Sequence, residues 1–486
     1  MRTLGDRLAR PLLVILLVWA PLPYGSFLPW AWHLLAVLAG LGLLAVVLDR
    51  GRPLPWPWEL RIAAAAFLAA VGWGLVQGTP LPLLADLAHP VWRDVAASGL
   101  EAAPTVAVSP EGSRDNAVRL LAYGAVFLLA FHQAREGARA RDLFRLLFVV
   151  IALEAAYGLL NHFAGWKTVL WEEGPKAYAG YVTGTFINRN TFATYTGLGV
   201  LLGLALLFER VMRAGSLTDL RRRLVTLGEE ILGRRGPLLV GLLLVFTAHL
   251  LTGSRGGFLS LAVAFLVFVG GALAAARPRP LAAAAALAAL ALFVGGVLWL
   301  AGDVTFARLM QADTVDNPRT VMYARALEMI ADRPWTGHGL GGWAATFQLY
   351  RDARIPGYWD RAHDTYLEHA VELGLPATLL LYLGPLLVFL RTWRGLRTRR
   401  RNRIFPLVGV SAAVLVAVHA LVDFSLQIPG MAVTYAALAG IAYAQSLPRH
   451  LRRPEPATGG RRRPQPEESS RKAVSGAAPP RTPVSA

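Results

Sequence analysis

The chain has 486 residues, 55% hydrophobic and 16% charged, with no cysteine and a formal net charge of +18. Without thiols there can be no cysteine nucleophile, no disulfide and no cysteine-ligated metal. An ordinary water-soluble domain is excluded too, because apolar runs near the ~20 residues that span a bilayer recur from end to end. In chain order, helices are predicted over residues 9–28, 30–48, 59–77, 117–133, 143–162, 188–208, 237–252, 255–275, 281–301, 365–390, 404–421 and 431–447. The fold class is all-α: a polytopic membrane protein of about 12 transmembrane helices, with a large outer loop between spans 9 and 10. Arg2, Arg7 and Arg10 precede the first apolar run as they would in a signal peptide. No small-x-small cleavage site follows and further spans do, so a retained helix is expected. Residues 1–180 read as N-terminal transmembrane helices, 181–447 as a second membrane region with its outer loop at 302–364, and 448–486 as a disordered basic cytosolic tail.

The distribution of charge argues against a nucleic-acid partner. One connector holds Arg391, Arg394, Arg397, Arg399, Arg400, Arg401 and Arg403; another holds Arg210, Arg213, Arg221, Arg222, Arg223, Arg234 and Arg235. Arg135, Arg139, Arg141, Arg277 and Arg279 fall on the same side of the predicted spans. That is the positive-inside pattern, so both termini are expected in the cytosol, with the tail near anionic membrane lipids. The connectors 78–116, 163–187, the turn near 253 and the loop 302–364 then lie outside. No repeat of fixed period and no matched pair of interrupted helices is present, which removes the commonest transporter signature.

The long outer loop is expected to fold onto the membrane face as short helices. Asn317 suits an N-cap, Pro318 a first helical position, and Pro334 a stop. Gly337-His338-Gly339-Leu340-Gly341-Gly342 fits G-x-G-x-x-G but lacks a strand–helix–strand setting. It reads as a glycine turn that brings backbone close to something. His363 follows, just before an apolar helix. Thr365 and Glu368 have the spacing of a capping box, which starts that helix at Thr365. A titratable base fixed at the membrane surface suits chemistry on a lipid-carried substrate. The plainer reading is a loop histidine that hydrogen-bonds its neighbours.

Three outside arginines stand at helix starts: Arg319 after Asn317-Pro318, Arg255 after Gly253-Ser254 with Ser254 as cap, and Arg189 between Asn188 and Asn190. A cation there opposes the helix dipole at a cost of roughly 0.3–1 kcal/mol and runs against the positive-inside bias. A bound anion relieves both conflicts, and a pyrophosphate suits the bidentate arginine fork. Taken singly, each could instead snorkel to headgroup phosphates. His369 and Glu372 share a helix face with Glu368 near, yet zinc needs three or four ligands, so no metal and no cofactor is expected. Glu368 is assigned to the cap and Glu372 to a polar neighbour.

Several of these segments resemble the O-antigen ligase and polymerase superfamily. Gly184-Thr185-Phe186-Ile187-Asn188-Arg189-Asn190-Thr191-Phe192-Ala193 looks like the segment opening a central span of that family, and Thr252-Gly253-Ser254-Arg255-Gly256-Gly257 is similar to its Ser-Arg-Gly turn. Asn317-Pro318-Arg319, with Asp332-Arg333-Pro334-Trp335-Thr336-Gly337-His338-Gly339, resembles its outer-loop motif. His363-Asp364-Thr365-Tyr366 through Glu372-Leu373-Gly374 resembles its histidine motif, where Asn often stands at the place of Asp364. Val422-Asp423-Phe424-Ser425-Leu426-Gln427-Ile428-Pro429 is similar to a motif near its C-terminal end. The order and spacing hold across residues 180–430.

The resemblance implies a metal-independent glycosyltransferase of the bacterial inner membrane, active on its periplasmic face, with 181–447 as the catalytic region. The donor would be a glycan on undecaprenyl pyrophosphate, transferred with inversion to a hydroxyl of lipid A core, a growing polysaccharide or a protein. His363 would be the catalytic base, and Arg255 and Arg319 would bind the pyrophosphate, with Arg189 as a third contact. His338, Asp364 and Asp423 are candidate supporting residues. An acid at the end of a span, like Asp423, is costly unless it faces protein, where it could orient an arginine or cap a helix. The alternative is a transporter or flippase of lipid-linked oligosaccharide. Such a protein should line its spans with charge, and these helix interiors carry little beyond Glu154 and Asp423.

Overall fold

The computed structural model describes residues 4–48, 56–173, 178–213, 236–276, 318–351, 357–399 and 401–448, together with Gly295, Ile355 and Leu451. The expected span 281–301, most of the basic connector 210–235, Arg277 and Arg279, residues 302–317 with Asn317, and nearly all of the tail lie outside the described residues. The chain is mostly helical. Its helices are α1 Leu4–Trp19, α2 Leu22–Ser26, α3 Pro29–Val47, α4 Trp58–Gln77, α5 Val91–Ala97, α6 Pro110–Gln133, α7 Gly137–Ala164 and α8 Arg189–Arg213. They continue as α9 Gly236–Leu251, α10 Arg255–Ala276, α11 Pro318–Asp332, α12 Trp343–Tyr350, α13 Thr365–Leu373, α14 Leu375–Thr398, α15 Ile404–His419 and α16 Pro429–Ser446. Two short strands, Thr168–Val169 and Glu172–Glu173, pair antiparallel.

Among the described residues six helices are long and apolar enough to cross a membrane: α3, α4, α7, Arg189–Leu207 of α8, Arg255–Ala274 of α10, and α14. α9 and α15 are apolar but shorter. Large side chains such as Val37, Leu41 and Leu44 on α3, Leu153 and Leu160 on α7, and Leu379 and Leu386 on α14 are exposed. Aliphatic surface of this extent suits hydrocarbon rather than water.

Four expected spans differ in the structure, the fifth by starting at Gly137 rather than 143. The first stops at Trp19 and breaks, with Pro23, Tyr24 and Gly25 outside helical φ/ψ, because prolines 21 and 23 remove two donors within a single turn. The fourth starts at Pro110 rather than 117; Ser109 accepts the Gly112 N–H at 3.3 Å, and proline suits the first turn. The stretch 365–390 is two helices, divided by Gly374 at φ 74°.

α16 lies at the centre of the bundle, packed against α6, α14 and α15 and buried along almost its whole length. At one end of the bundle the basic residues collect. Gln445 donates to the Ala134 carbonyl at 2.6 Å, Arg141 pairs with Glu209 at 2.7 Å, and Arg391 approaches Glu59 at 3.5 Å. At the other end the long loops form a cap. Helices α11 and α12 enclose a small core of their own, with Met322, Met329, Trp343, Phe347, Ala362 and Val371. Leu340 and Leu373 join that cap to Ala70, Val71 and Ala117 of the bundle. The 78–109 connector is folded in as well, since the Val108 N–H donates to the His338 carbonyl at 2.8 Å.

Candidate functional site

His363 sits in the turn that opens α13, with φ at 53°, a left-handed conformation that non-glycine residues seldom adopt. Its neighbours impose this geometry. Before it, Glu368 accepts the Ala362 N–H at 2.7 Å and holds the Arg361 guanidinium at 3.2 Å. After it, the Asp364 carboxylate accepts the N–H groups of Tyr366 and Leu367 at 2.9 and 3.0 Å, capping α13. Tyr323 on α11 donates to the His363 carbonyl at 3.2 Å. The capping residue is therefore Asp364, not Thr365. The Thr365 hydroxyl instead donates to the Asp423 carbonyl at 2.8 Å, and its N–H to Ala420 at 2.9 Å. Glu368 is fully buried with Arg361, a pairing that offsets the cost of desolvating both.

The imidazole faces Asp423. Nδ1 lies 3.4 Å from Oδ1, longer than a hydrogen bond, and neither atom has another partner. The other carboxylate oxygen accepts from Ser425 at 3.3 Å, within a buried group that also contains His419 and Thr194. Trp359 and Phe424 flank the His363 ring edge-on at 5.5 and 5.0 Å. Asp423 thus faces a histidine.

Beside this pair is a cavity of about 230 Å³. Tyr24 and Phe27 line it from the break after α1, and Phe186, Ile187, Asn188 and Thr191 from the entry to α8. Tyr178, Asp360, His363, Phe424 and Ile428 complete the wall. The break is held close. Gly25, at φ 65°, has no room for a Cβ, which would lie 2.6 Å from Phe186.

The arginines approach the same end. Arg189 opens α8, with its guanidinium 4.0 Å above the Tyr181 ring, and Asn188 accepts the Asn190 N–H at 2.7 Å. Gly253 turns at φ 58° against Tyr181, and Ser254 caps α10 by accepting the Gly257 N–H at 3.1 Å. Arg255 occupies the first turn of α10, half-buried, and the next residue packs on His419 and Val422. Arg319 is exposed in the first turn of α11. Two phenols register this field. The Tyr178 hydroxyl is pushed up by burial and by Asp423 and Asp360, against the lowering pull of Arg189 and Arg319. Tyr323 is pushed up by burial, with Arg319 opposing and Asp364 and Asp423 adding.

His338 lies elsewhere. Its Nε2 donates to the Met329 carbonyl at 2.8 Å, which leaves Nδ1 to accept from His89 Nε2 at 3.0 Å. His89 Nδ1 in turn accepts the Val91 N–H at 3.2 Å. The chain of donors fixes both rings as neutral tautomers. Burial pushes both pKa values down, that of His89 to about 3 with help from His338 and Arg333. The glycine turn, with Gly337, Gly339 and Gly341 all at positive φ, folds over the junction of α13 and α14. Glu372 accepts the Trp343 N–H there at 3.1 Å, and His369 pairs with the Tyr382 hydroxyl at 2.8 Å. Among the described residues no cluster of three His, Asp or Glu side chains could hold a metal ion.

Several residues at the site were not singled out from the sequence: Tyr24, Phe27, Tyr178, Tyr323, Arg361 and Phe424. The Pro-Leu-Pro-Tyr-Gly cluster inside the first apolar run was the one local signal available for the first two.

A family model described as O-Antigen ligase matches residues 240–383. The match supports the O-antigen ligase-related superfamily for this stretch, and with it ligase- or polymerase-type glycosyltransferase activity in general, on lipid-linked glycan. It takes in Arg255, Arg319, His338, His363 and Asp364, and leaves Arg189 and Asp423 outside. No curated protein matches the chain.

Proposed function

We propose that the chain transfers a glycan from undecaprenyl pyrophosphate to an acceptor hydroxyl, without metal and with inversion, at the periplasmic face of the inner membrane. The observation that carries this reading is the strained His363, set against Asp423 at 3.4 Å beside a cavity at the loop-bearing end of the bundle, where Arg189, Arg255 and Arg319 open their helices. With Nδ1 protonated toward Asp423, the lone pair is on Nε2, and that nitrogen takes the acceptor proton. The acceptor oxygen then bonds to the anomeric carbon as the bond from that carbon to the pyrophosphate oxygen breaks. Single displacement inverts the centre. Asp423 stabilises the imidazolium that forms, while Arg255 and Arg319, with Arg189 beside them, stabilise the charge on the departing pyrophosphate. A positioned base supplies about 10²–10⁴-fold of rate, and fixed cationic donors a comparable factor. The collection of arginines at the opposite end of the bundle supports the orientation, with the loops outside.

The test uses purified full-length protein, lipid-linked donor and candidate acceptors, with the product identified by mass. Transfer is expected in excess chelator, and His363→Ala is expected to be inactive, with its melting temperature showing that the protein remains folded. Near-wild-type transfer by that variant would remove His363 from the chemistry. Movement of lipid-linked glycan across proteoliposome membranes with no transfer would instead favour a flippase.

A further inference from the structure

Asp423 faces His363 with one carboxylate oxygen, and from the other a hydrogen-bonded array runs back into the bundle. Ser425 donates to Asp423 Oδ2 at 3.3 Å. The Thr194 hydroxyl lies 2.9 Å from the Ser425 oxygen, and His419 Nδ1 lies 2.6 Å from Thr194 and 3.0 Å from Ser425. All four side chains are buried. They come from separate parts of the chain: Thr194 from α8, His419 from the last residue of α15, and Asp423 and Ser425 from the turn before α16.

Counting hydrogens gives the array a direction. The single hydroxyl hydrogen of Ser425 goes to Asp423, so toward Thr194 and His419 this oxygen can only accept. That of Thr194 goes to Ser425, the nearer of its two acceptors, with the Asn190 carbonyl at 3.2 Å. The Thr194 oxygen is then left to accept, and His419 Nδ1 carries the hydrogen. In the opposite tautomer a lone pair on Nδ1 would face one on Ser425 at 3.0 Å. Three donors thus run head to tail and end on the carboxylate oxygen that His363 does not face. Donors in series polarise one another, and a carboxylate held at Oδ2 cannot turn Oδ1 away from the imidazole. The far edge of the His419 ring is fixed too. A Cβ added at Gly256 in α10 would lie 3.2 Å from its Cδ2 and Nε2.

We propose that His419 is a positioning residue for the candidate base: acting through Thr194 and Ser425, it holds the Asp423 carboxylate aimed at His363. The ring touches no substrate and gives up no proton. Its effect on rate rests on the transferase reading, whereas its effect on the His363 ring does not.

Kinetics with lipid-linked donor separate aiming from stability. Ser425→Ala should lower kcat about 10- to 100-fold, as expected for a lost hydrogen bond to a charged group, with KM little changed. Thr194→Val keeps the side-chain shape and loses the hydroxyl, and should lower kcat about three- to tenfold. His419→Leu should lose rate as Ser425→Ala does. His419→Asn, whose amide nitrogen can take the place of Nδ1, should recover most of that loss. NMR of isotope-labelled histidine gives a readout that needs no turnover: the His363 ring signals should move in Thr194→Val and stay in place in Thr194→Ser. Unchanged kcat in both Ser425→Ala and Thr194→Val overturns the proposal, as does a loss confined to Tm. Equal rates with Asn and Leu at position 419 overturn it as well. If His419→Leu does not fold, the serine and threonine variants decide. Unmoved His363 signals in a protein that transfers glycan sink the array and leave the transferase. Signals that respond to Thr194→Val in a protein that transfers nothing sink the transferase reading and leave the array.

Discussion

At the scale of single residues, the three arginines at helix starts differ in setting, and their variants should differ too. Arg255 is half-buried and Arg319 exposed, each in the first turn of its described helix, the end whose dipole favours an anion. Lysine keeps the charge and loses the bidentate fork. Arg255→Lys and Arg319→Lys should therefore each lose most kcat/KM with lipid-linked donor, and Arg189→Lys less. Rates near wild type in the first two would return those side chains to the lipid headgroups. A second residue-scale prediction concerns the His89–His338 pair. In the folded cap His89 titrates at about 3, whereas an undocked histidine takes a proton near its ordinary value of about 6.5. The undocked form binds the proton first, so docking of the 78–109 connector is at full strength above about pH 6.5 and weakens as pH falls toward about 3. Amide exchange at Val91 and Val108 should accelerate accordingly between pH 7 and 5, beyond the intrinsic pH trend. Unchanged protection would count against the pair as a clasp.

At the scale of elements, what could be read from the sequence followed from where the local rules are strong. Ser254 as a cap and the stop before Pro334 follow from backbone chemistry within four residues, and the structure has both. The division of 365–390 was missed because hydropathy runs unbroken through Leu373-Gly374-Leu375, and one glycine inside an apolar run is weak evidence of a break. At φ 74° and ψ 164°, Gly374 occupies backbone space that is almost closed to other residues. Gly374→Ala would also press a Cβ to 2.7 Å from the Trp335 carbonyl. It should destabilise the cap by about 1–3 kcal/mol, seen as a lower Tm and faster proteolysis after α13. An unchanged Tm would mean that the junction relaxes freely. The cavity was illegible for a different reason. Tyr24 and Phe27 meet Phe186 and Ile428 only through the tertiary fold, and no periodicity or motif encodes that meeting.

At the scale of the whole molecule, the basic and the loop-bearing ends are opposed, and the cysteine-free chain makes their sidedness measurable. Leu83→Cys and Tyr358→Cys place thiols on exposed positions of the cap, at 93% and 70% exposure. A membrane-impermeant maleimide should label both in spheroplasts and leave Arg394→Cys at the basic end untouched until the membrane is opened. The reverse pattern would place the candidate site in the cytosol. The central position of α16 has a consequence for biogenesis. The helix that fills the middle of the bundle is made after α6, α14 and α15, against which it packs, and Asp423, the partner of the candidate base, emerges from the ribosome only just before it. Until then α6, α14 and α15 must wait in the bilayer around a vacancy, most of their mutual contacts unmade. A chain released before Asp423 would bring neither a finished interior nor a partner for His363, so an interruption that early leaves no half-active product to misuse a lipid-linked glycan.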